Sequence, residues 1–161
     1  DFRSVMPTNL YGINDNFHLE NSHVIPALIS RFHNAKINKL PEVVVWGSGQ
    51  ARREFLYVDD MADASIFVLG LDKATYQSNT NSMLSHINVG TGLDLTIKEM
   101  ANLIKQVIGF KGKISFDTLR SDGPPRKLID TSRLNKMGWK YSIEFEDGLR
   151  KTYSWYLKKI K

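Results

Sequence analysis

The residues with the most chemical reach in this sequence are four histidines, two adjacent basic pairs and a tryptophan beside a glycine turn. His18, His23, His33 and His86 invite a metal reading, but they form no His-Glu-x-x-His spacing. The nearest carboxylates, Asp15 and Glu20, complete no ligand pattern, so no metal is expected. His23 stands apart because Ser22 beside it marks an expected helix start. A helix amino terminus disfavours the charged imidazolium. A neutral imidazole there is able to pass on a proton or merely to cap the helix. Local sequence alone favours the cap.

Arg52-Arg53 follows the Gly47-Ser48-Gly49 turn, and Arg126-Lys127 follows Pro124-Pro125. Guanidinium groups grip phosphate with two bonds, whereas lysine acts as a point charge. Two such pairs on separate rigid loops are suited to converge on a diphosphate, and a salt-bridged surface explains them equally well. Trp46, beside the first turn, is placed either to stack on a base or sugar or to end a strand in the core. Gly90-Thr91-Gly92 lacks the third glycine of a dinucleotide fingerprint, and no Gly-Lys-Ser/Thr follows. It reads as a tight strand-to-helix turn, so no cofactor pyrophosphate site is visible.

The elements that must position these groups alternate between strand and helix, which gives an α/β class. Arg3 to Met6, Val43 to Trp46, Phe55 to Val58, His86 to Val89 and Lys113 to Phe116 read as strands. Pro7 to Gly12 reads as a turn, and Gln77 to Ser82 as a loop. Helices are expected from Ser22, with Val24, Ala27, Leu28 and Phe32 on one face, and after Asp59 as a cap. Thr96 and Glu99 form a capping-box pattern ahead of Ile97 to Ile108, with Gly109 just past the end. Thr131 to Met137 suits a short helix, and Ser142 opens a last amphipathic one.

At 161 residues, 42% hydrophobic and 24% charged, the composition is that of one soluble globular domain. No apolar run approaches the 18–20 residues of a membrane span, and no signal-peptide pattern opens the chain. Asp1 to Met6 runs straight into strand-like sequence without an initiator methionine, as the middle of a domain would. The lack of cysteine excludes disulfides and thiolate metal sites and is compatible with a reducing, cytoplasmic setting. A net charge of +5 can attract an anion. The basic residues are dispersed, so a small phosphorylated ligand is favoured over nucleic acid.

Taken together, these segments resemble the carboxy-terminal half of the extended short-chain dehydrogenase/reductases, and within them the GDP-L-fucose synthase family. Val44-Val45-Trp46-Gly47-Ser48-Gly49 and Arg53-Glu54-Phe55-Leu56-Tyr57-Val58-Asp59-Asp60 are similar to sugar-nucleotide epimerases and dehydratases in general. Asn21-Ser22-His23-Val24-Ile25-Pro26 and Asp122-Gly123-Pro124-Pro125-Arg126-Lys127 carry the narrower likeness. The resemblance implies a substrate-binding lobe over residues 1–161 that lacks most of the Rossmann domain, with 1–20 including the last part of the nicotinamide-binding core. The family's glycine fingerprint, Ser-Tyr-Lys set and acid/base cysteine are not in this sequence. The implied intact enzyme epimerises GDP-4-keto-6-deoxy-D-mannose at the third and fifth carbons and reduces it with NADPH, as a homodimer. His23 would be the acid, and Pro7, Thr8, Asn9, Leu10 and His23 would line the nicotinamide. Arg31, Trp46, Arg53, Asp122 and Lys127 would hold the GDP-sugar. The 161 residues alone are expected to be inactive.

Overall fold

The computed structural model describes residues 2–18 and 21–160. Among the described residues, eight short strands and six helices follow in mixed order. They are β1 (Ser4–Pro7), β2 (Asn9–Tyr11), α1 (Val24–Ile37), β3 (Glu42–Trp46), β4 (Arg52–Tyr57), α2 (Val58–Gly70), α3 (Lys73–Ser78), β5 (His86–Val89), β6 (Asp94–Thr96), α4 (Ile97–Ile108), β7 (Lys113–Asp117), β8 (Arg126–Lys127), α5 (Ser132–Lys136) and α6 (Phe145–Lys159). The α/β class holds.

Three small sheets share the strands. β1 pairs with β5 and β3 with β7, both in parallel. β4 is the hub of the third. Its carboxy-terminal half, Phe55 to Tyr57, pairs with β2, while Arg52 to Glu54 pair antiparallel with β6, and Arg52 and Arg53 also pair with β8. Two cores fill the spaces between. Phe32, Met100, Ile104 and Leu149 join α1, α4 and α6 in one, and Leu56, Val68, Ile87 and Leu134 join α2, α5 and β5 in the other. α4 shows why the local sequence was sufficient there. Thr96 Oγ1 accepts from Glu99 N, the Glu99 carboxylate accepts from Thr96 N, and Gly109 closes the helix at φ 74°.

Several boundaries move for identifiable reasons. The expected Pro7–Gly12 turn holds β2, because Thr8 N still bonds Val89 O before the chain steps across to β4. α2 starts at Val58, so Asp59 lies in its first turn rather than at its cap. The Asp60 carboxylate there accepts Ser142 N, Ser142 Oγ and Ile143 N, which keeps Ser142 out of α6 and lets that helix begin at Phe145. α3 intrudes on the expected polar loop, held by Asp72 accepting from Thr75 N. No helix among the described residues is long and apolar enough to cross a membrane.

Candidate functional site

Arg53 is the centre of the site. Adjacent strand residues point to opposite faces, and on β4 this separates the two arginines completely. Arg52 donates from Nε to Asp94 Oδ1 at 2.9 Å, and Arg126 reaches the other oxygen of the same carboxylate. The guanidinium of Arg126, then that of Arg52, hold the Asp94 carboxyl below the usual carboxylate range. Half of each basic pair is thus spent on a structural clasp, a correction to the idea that both pairs meet a diphosphate. Arg53 turns the other way. Its Nη1 donates to Arg52 O and Pro124 O and its Nη2 to Asp122 O, at 2.7–3.2 Å. Nε–H and one Nη2–H remain uncommitted among the described residues.

Asp122 is tied to the glycine turn. Its carboxylate accepts from Ser48 N at 2.7 Å and Ser48 Oγ at 2.6 Å, bonds that lower its pKa from the ordinary value. Gly47 has φ 86°, and a Cβ there would run into Asp122 Oδ1, so this approach needs glycine. Trp46, 52% exposed, is not core. Its ring has the Arg31 guanidinium 4.6 Å and the Arg120 guanidinium 4.9 Å from its centroid.

These groups surround one cavity of about 320 Å³ whose lining includes Asn9, Ser22, Arg31, Trp46, Arg53 and Asp122. A smaller one, about 140 Å³, adjoins it and is lined by Leu10, His23 and Pro26. Asn9, Val24 and Phe55 belong to both, so the two form one continuous cleft. The structure therefore brings together Asn9, Leu10, His23, Arg31, Trp46, Arg53 and Asp122. Pro7, Thr8 and Lys127 stand outside both linings. The Thr8 hydroxyl bonds Glu54 O, and Lys127 lies exposed on β8 beside Arg53. His23 is the N-cap residue of α1 by position only, since its side chain makes no capping bond and Ser22 Oγ donates to His18 O instead. The imidazole is exposed and uncommitted among the described residues.

Sequence reasoning overlooked Glu54, which is fully buried. Its Oε1 accepts from the amides of Thr91 and Gly92, both at 2.7 Å, and its Oε2 from the amide of Ile129 at 3.1 Å. The Thr91 and Gly92 amides that would greet a phosphate are already taken by this carboxylate, which agrees with the turn reading. The signal was present: a turn offering adjacent amides needs an acceptor, and an acid on a buried strand needs donors. Asn9 Nδ2 donates to the Glu54 carbonyl at 2.7 Å, so the same residue also steadies the cleft's shared wall. Among the described residues no group of three or more histidine, aspartate and glutamate side chains is placed to hold a metal.

The chain belongs to the NAD dependent epimerase/dehydratase family, whose model matches residues 1–90. Within that family it is 58% identical, over 98% of its length, to the GDP-L-fucose synthase of Escherichia coli (strain K12), of which it covers 49%. It is 55% identical to the putative GDP-L-fucose synthase 2 of Arabidopsis thaliana, over 99% of the chain and 46% of that protein. Among solved structures, a GDP-L-fucose synthetase from Naegleria fowleri bound to NADP superposes with a TM-score of 0.85 at 29% identity, covering 99% of this chain and 47% of that one. The chain spans about half the length of the curated relatives it matches.

Proposed function

We propose that this chain is the substrate-side half of a GDP-L-fucose synthase, an enzyme that inverts two ring carbons of GDP-4-keto-6-deoxy-D-mannose and reduces its ketone with NADPH. The carrying observation is the continuous cleft, with Arg53, Arg31 and Trp46 at one end and His23 at the other. The uncommitted N–H groups of Arg53 face a diphosphate, and Arg31 adds a second positive charge. The sugar then extends past Asn9 and Phe55 toward His23.

A ketone acidifies the C–H bonds on either side of it. A base removes the proton from one face to leave an enolate, and an acid returns a proton to the same carbon from the other face. His23 supplies that second proton from an imidazole nitrogen, a contribution of roughly 10²–10⁴-fold to rate. Each inversion is redox-neutral, and the histidine recovers its proton from solvent. Asn9, Leu10 and His23 fit the edge of a nicotinamide: a mixed polar and apolar wall, with the Asn9 carbonyl oxygen left as acceptor. The nicotinamide, when bound, supplies a hydride to the carbonyl carbon. The chain offers no glycine fingerprint for the cofactor's pyrophosphate, so turnover requires a dinucleotide-binding half.

The test joins this chain to the amino-terminal half of the Escherichia coli relative and follows NADPH oxidation with the keto-sugar, with product stereochemistry read by NMR. L-configured product is expected, and His23→Gln should abolish completed inversion while leaving melting temperature and GDP affinity near wild type. Failure of the joined protein to turn over, or a His23→Gln protein that loses stability but keeps its turnover per folded molecule, defeats the proposal.

A further inference from the structure

We infer that His18 is a positioning residue for His23: a neutral imidazole, unprotonated at Nδ1, that fixes the backbone from which His23 enters the cleft. The inference rests on the synthase reading, in which His23 returns a proton to the ring carbon, and it adds the group that aims that histidine.

His23 needs such a group because nothing among the described residues holds its own side chain. The ring is exposed, makes no capping bond and lines the smaller end of the cleft. Its direction is therefore set by the backbone on either side. On the carboxy-terminal side the first turn of α1 does this, with Ala27 N donating to His23 O at 3.0 Å. On the amino-terminal side the described residues between Gly12 and Ser22 form no helix or strand. Side chains take over there.

Two of them hold Asn21 by both of its backbone polar groups. His18 Nδ1 accepts from Asn21 N at 3.2 Å, and Asn16 Nδ2 donates to Asn21 O at 3.0 Å. The pair is itself braced. Asn16 Oδ1 accepts from His18 N at 3.0 Å, Asp15 Oδ1 accepts from Asn16 N at 2.7 Å, and His18 O accepts from Ser22 Oγ. Phe17, between Asn16 and His18, ties the loop to α6, with its ring centroid 4.7 Å from that of Tyr156 and 5.8 Å from that of Trp155. The loop is thus anchored through Phe17, and its polar neighbours reach forward to the residues that precede His23.

A ring nitrogen accepts only when it carries no proton, so a neutral His18 bonded in this way has its proton on Nε2. The other tautomer sets N–H against N–H at Asn21. These bonds are exposed, so the fold loses little without one of them, but the aligned fraction of the loop should fall roughly 3- to 10-fold. Proton return is sensitive to that, since a displacement of about 1 Å in a reacting group is enough to cost about 10²-fold in rate. When His23 is late, the enolate takes its proton back on the face that lost it and the starting configuration returns. Reduction of that ketone gives an un-inverted alcohol. The ratio of inverted to un-inverted alcohol is therefore a readout that a merely structural residue does not move.

The test uses the joined protein as wild type, His18→Asn and His18→Leu, with the keto-sugar and NADPH, products resolved by NMR and a thermal melt of each. Asparagine brings an amide oxygen close to the place of Nδ1, whereas leucine offers no acceptor. His18→Leu should lower the ratio of inverted to un-inverted alcohol roughly 3- to 10-fold with the melt unchanged, and His18→Asn should restore most of it. Nitrogen NMR spectra of wild-type His18, taken above the histidine titration range, should show the proton on Nε2 and none on Nδ1. An unaltered ratio in His18→Leu, a His18→Asn protein as impaired as His18→Leu, or a protonated Nδ1 overturns the inference while the synthase reading stands. A joined wild type that forms no L-configured product rejects both.

Discussion

Replacing Glu54 by glutamine keeps the shape of the side chain and removes one acceptor, and the structure indicates what that costs. The carboxylate serves the amides of Thr91 and Gly92 with one oxygen and that of Ile129 with the other. Glutamine has one carbonyl oxygen, which best stays with the adjacent pair, so its NH₂ confronts the Ile129 N–H, donor against donor. One buried amide left without an acceptor costs about 1–3 kcal/mol, and the two remaining bonds each lose about 1 kcal/mol when their acceptor becomes neutral. Burying an amide instead of a charge returns part of this, leaving a net loss of about 2–4 kcal/mol. For a chain of this length each kcal/mol moves the melting temperature by about 2–4 °C, so a fall of roughly 5–15 °C is expected in Glu54→Gln. Amide hydrogen exchange should localise the change, with Ile129 accelerated more than Thr91 and Gly92. A melting temperature within about 2 °C of wild type, or uniform acceleration across the chain, would refute the reasoning.

Three further outcomes follow from the same geometry. Arg53→Ala should lower GDP affinity by roughly 10- to 100-fold, one charge-assisted phosphate contact. Arg52→Ala should instead lower the melting temperature with GDP affinity nearly intact, and equal affinity losses in a titration count against the assignment. Asp94, its pKa depressed by Arg126 and Arg52, contributes stability that is present above its unfolded pKa of about 3.9 and lost as pH falls through its lower folded value. The melting gap between wild type and Asp94→Asn should therefore be constant from about pH 7 to 5 and shrink as the pH falls below the unfolded value; a gap that widens in acid contradicts the clasp. This chain by itself should show no NADPH oxidation with the keto-sugar, and measurable consumption would mean that a cofactor site exists within it.

What was legible in the sequence was what neighbours in the chain decide for themselves. The α4 boundaries were readable because Thr96, Glu99 and Gly109 bond within the helix or its immediate ends. Strand alternation, a two-residue rule, is enough to set Arg52 and Arg53 on opposite sides once β4 is known to begin at Arg52 rather than Phe55. The misses share a different origin. β6 and β8 are three and two residues long and exist because β4 offers them free edges, and no local propensity encodes that offer. The Asp94 clasp joins residues 42 and 32 positions away along the chain. Such a clasp has no periodicity, so a basic pair that serves a ligand and one that serves the fold look alike until the partners are seen.

β4 shows why these long-range ties matter to the site. Three successive residues on it have three different duties: Arg52 closes the Asp94 clasp, Arg53 reaches into the cleft, and Glu54 gathers the Gly90–Gly92 turn and the backbone at Ile129. The segment from Ser121 to Leu128 is exposed throughout, so little apolar burial fixes it over the cleft. Polar bonds do that instead. Arg53 holds the carbonyls of Asp122 and Pro124, Ser48 holds the Asp122 carboxylate, Arg52 N bonds Pro125 O, and Asp94 holds Arg126. Arg53 is therefore the post to which the covering segment is tied, and in the proposed function it is also the group offered to a diphosphate. Its two uncommitted N–H groups let it serve the ligand without releasing the segment. A lysine at that position, with three donors and no planar fork, cannot satisfy three carbonyls and a phosphate together.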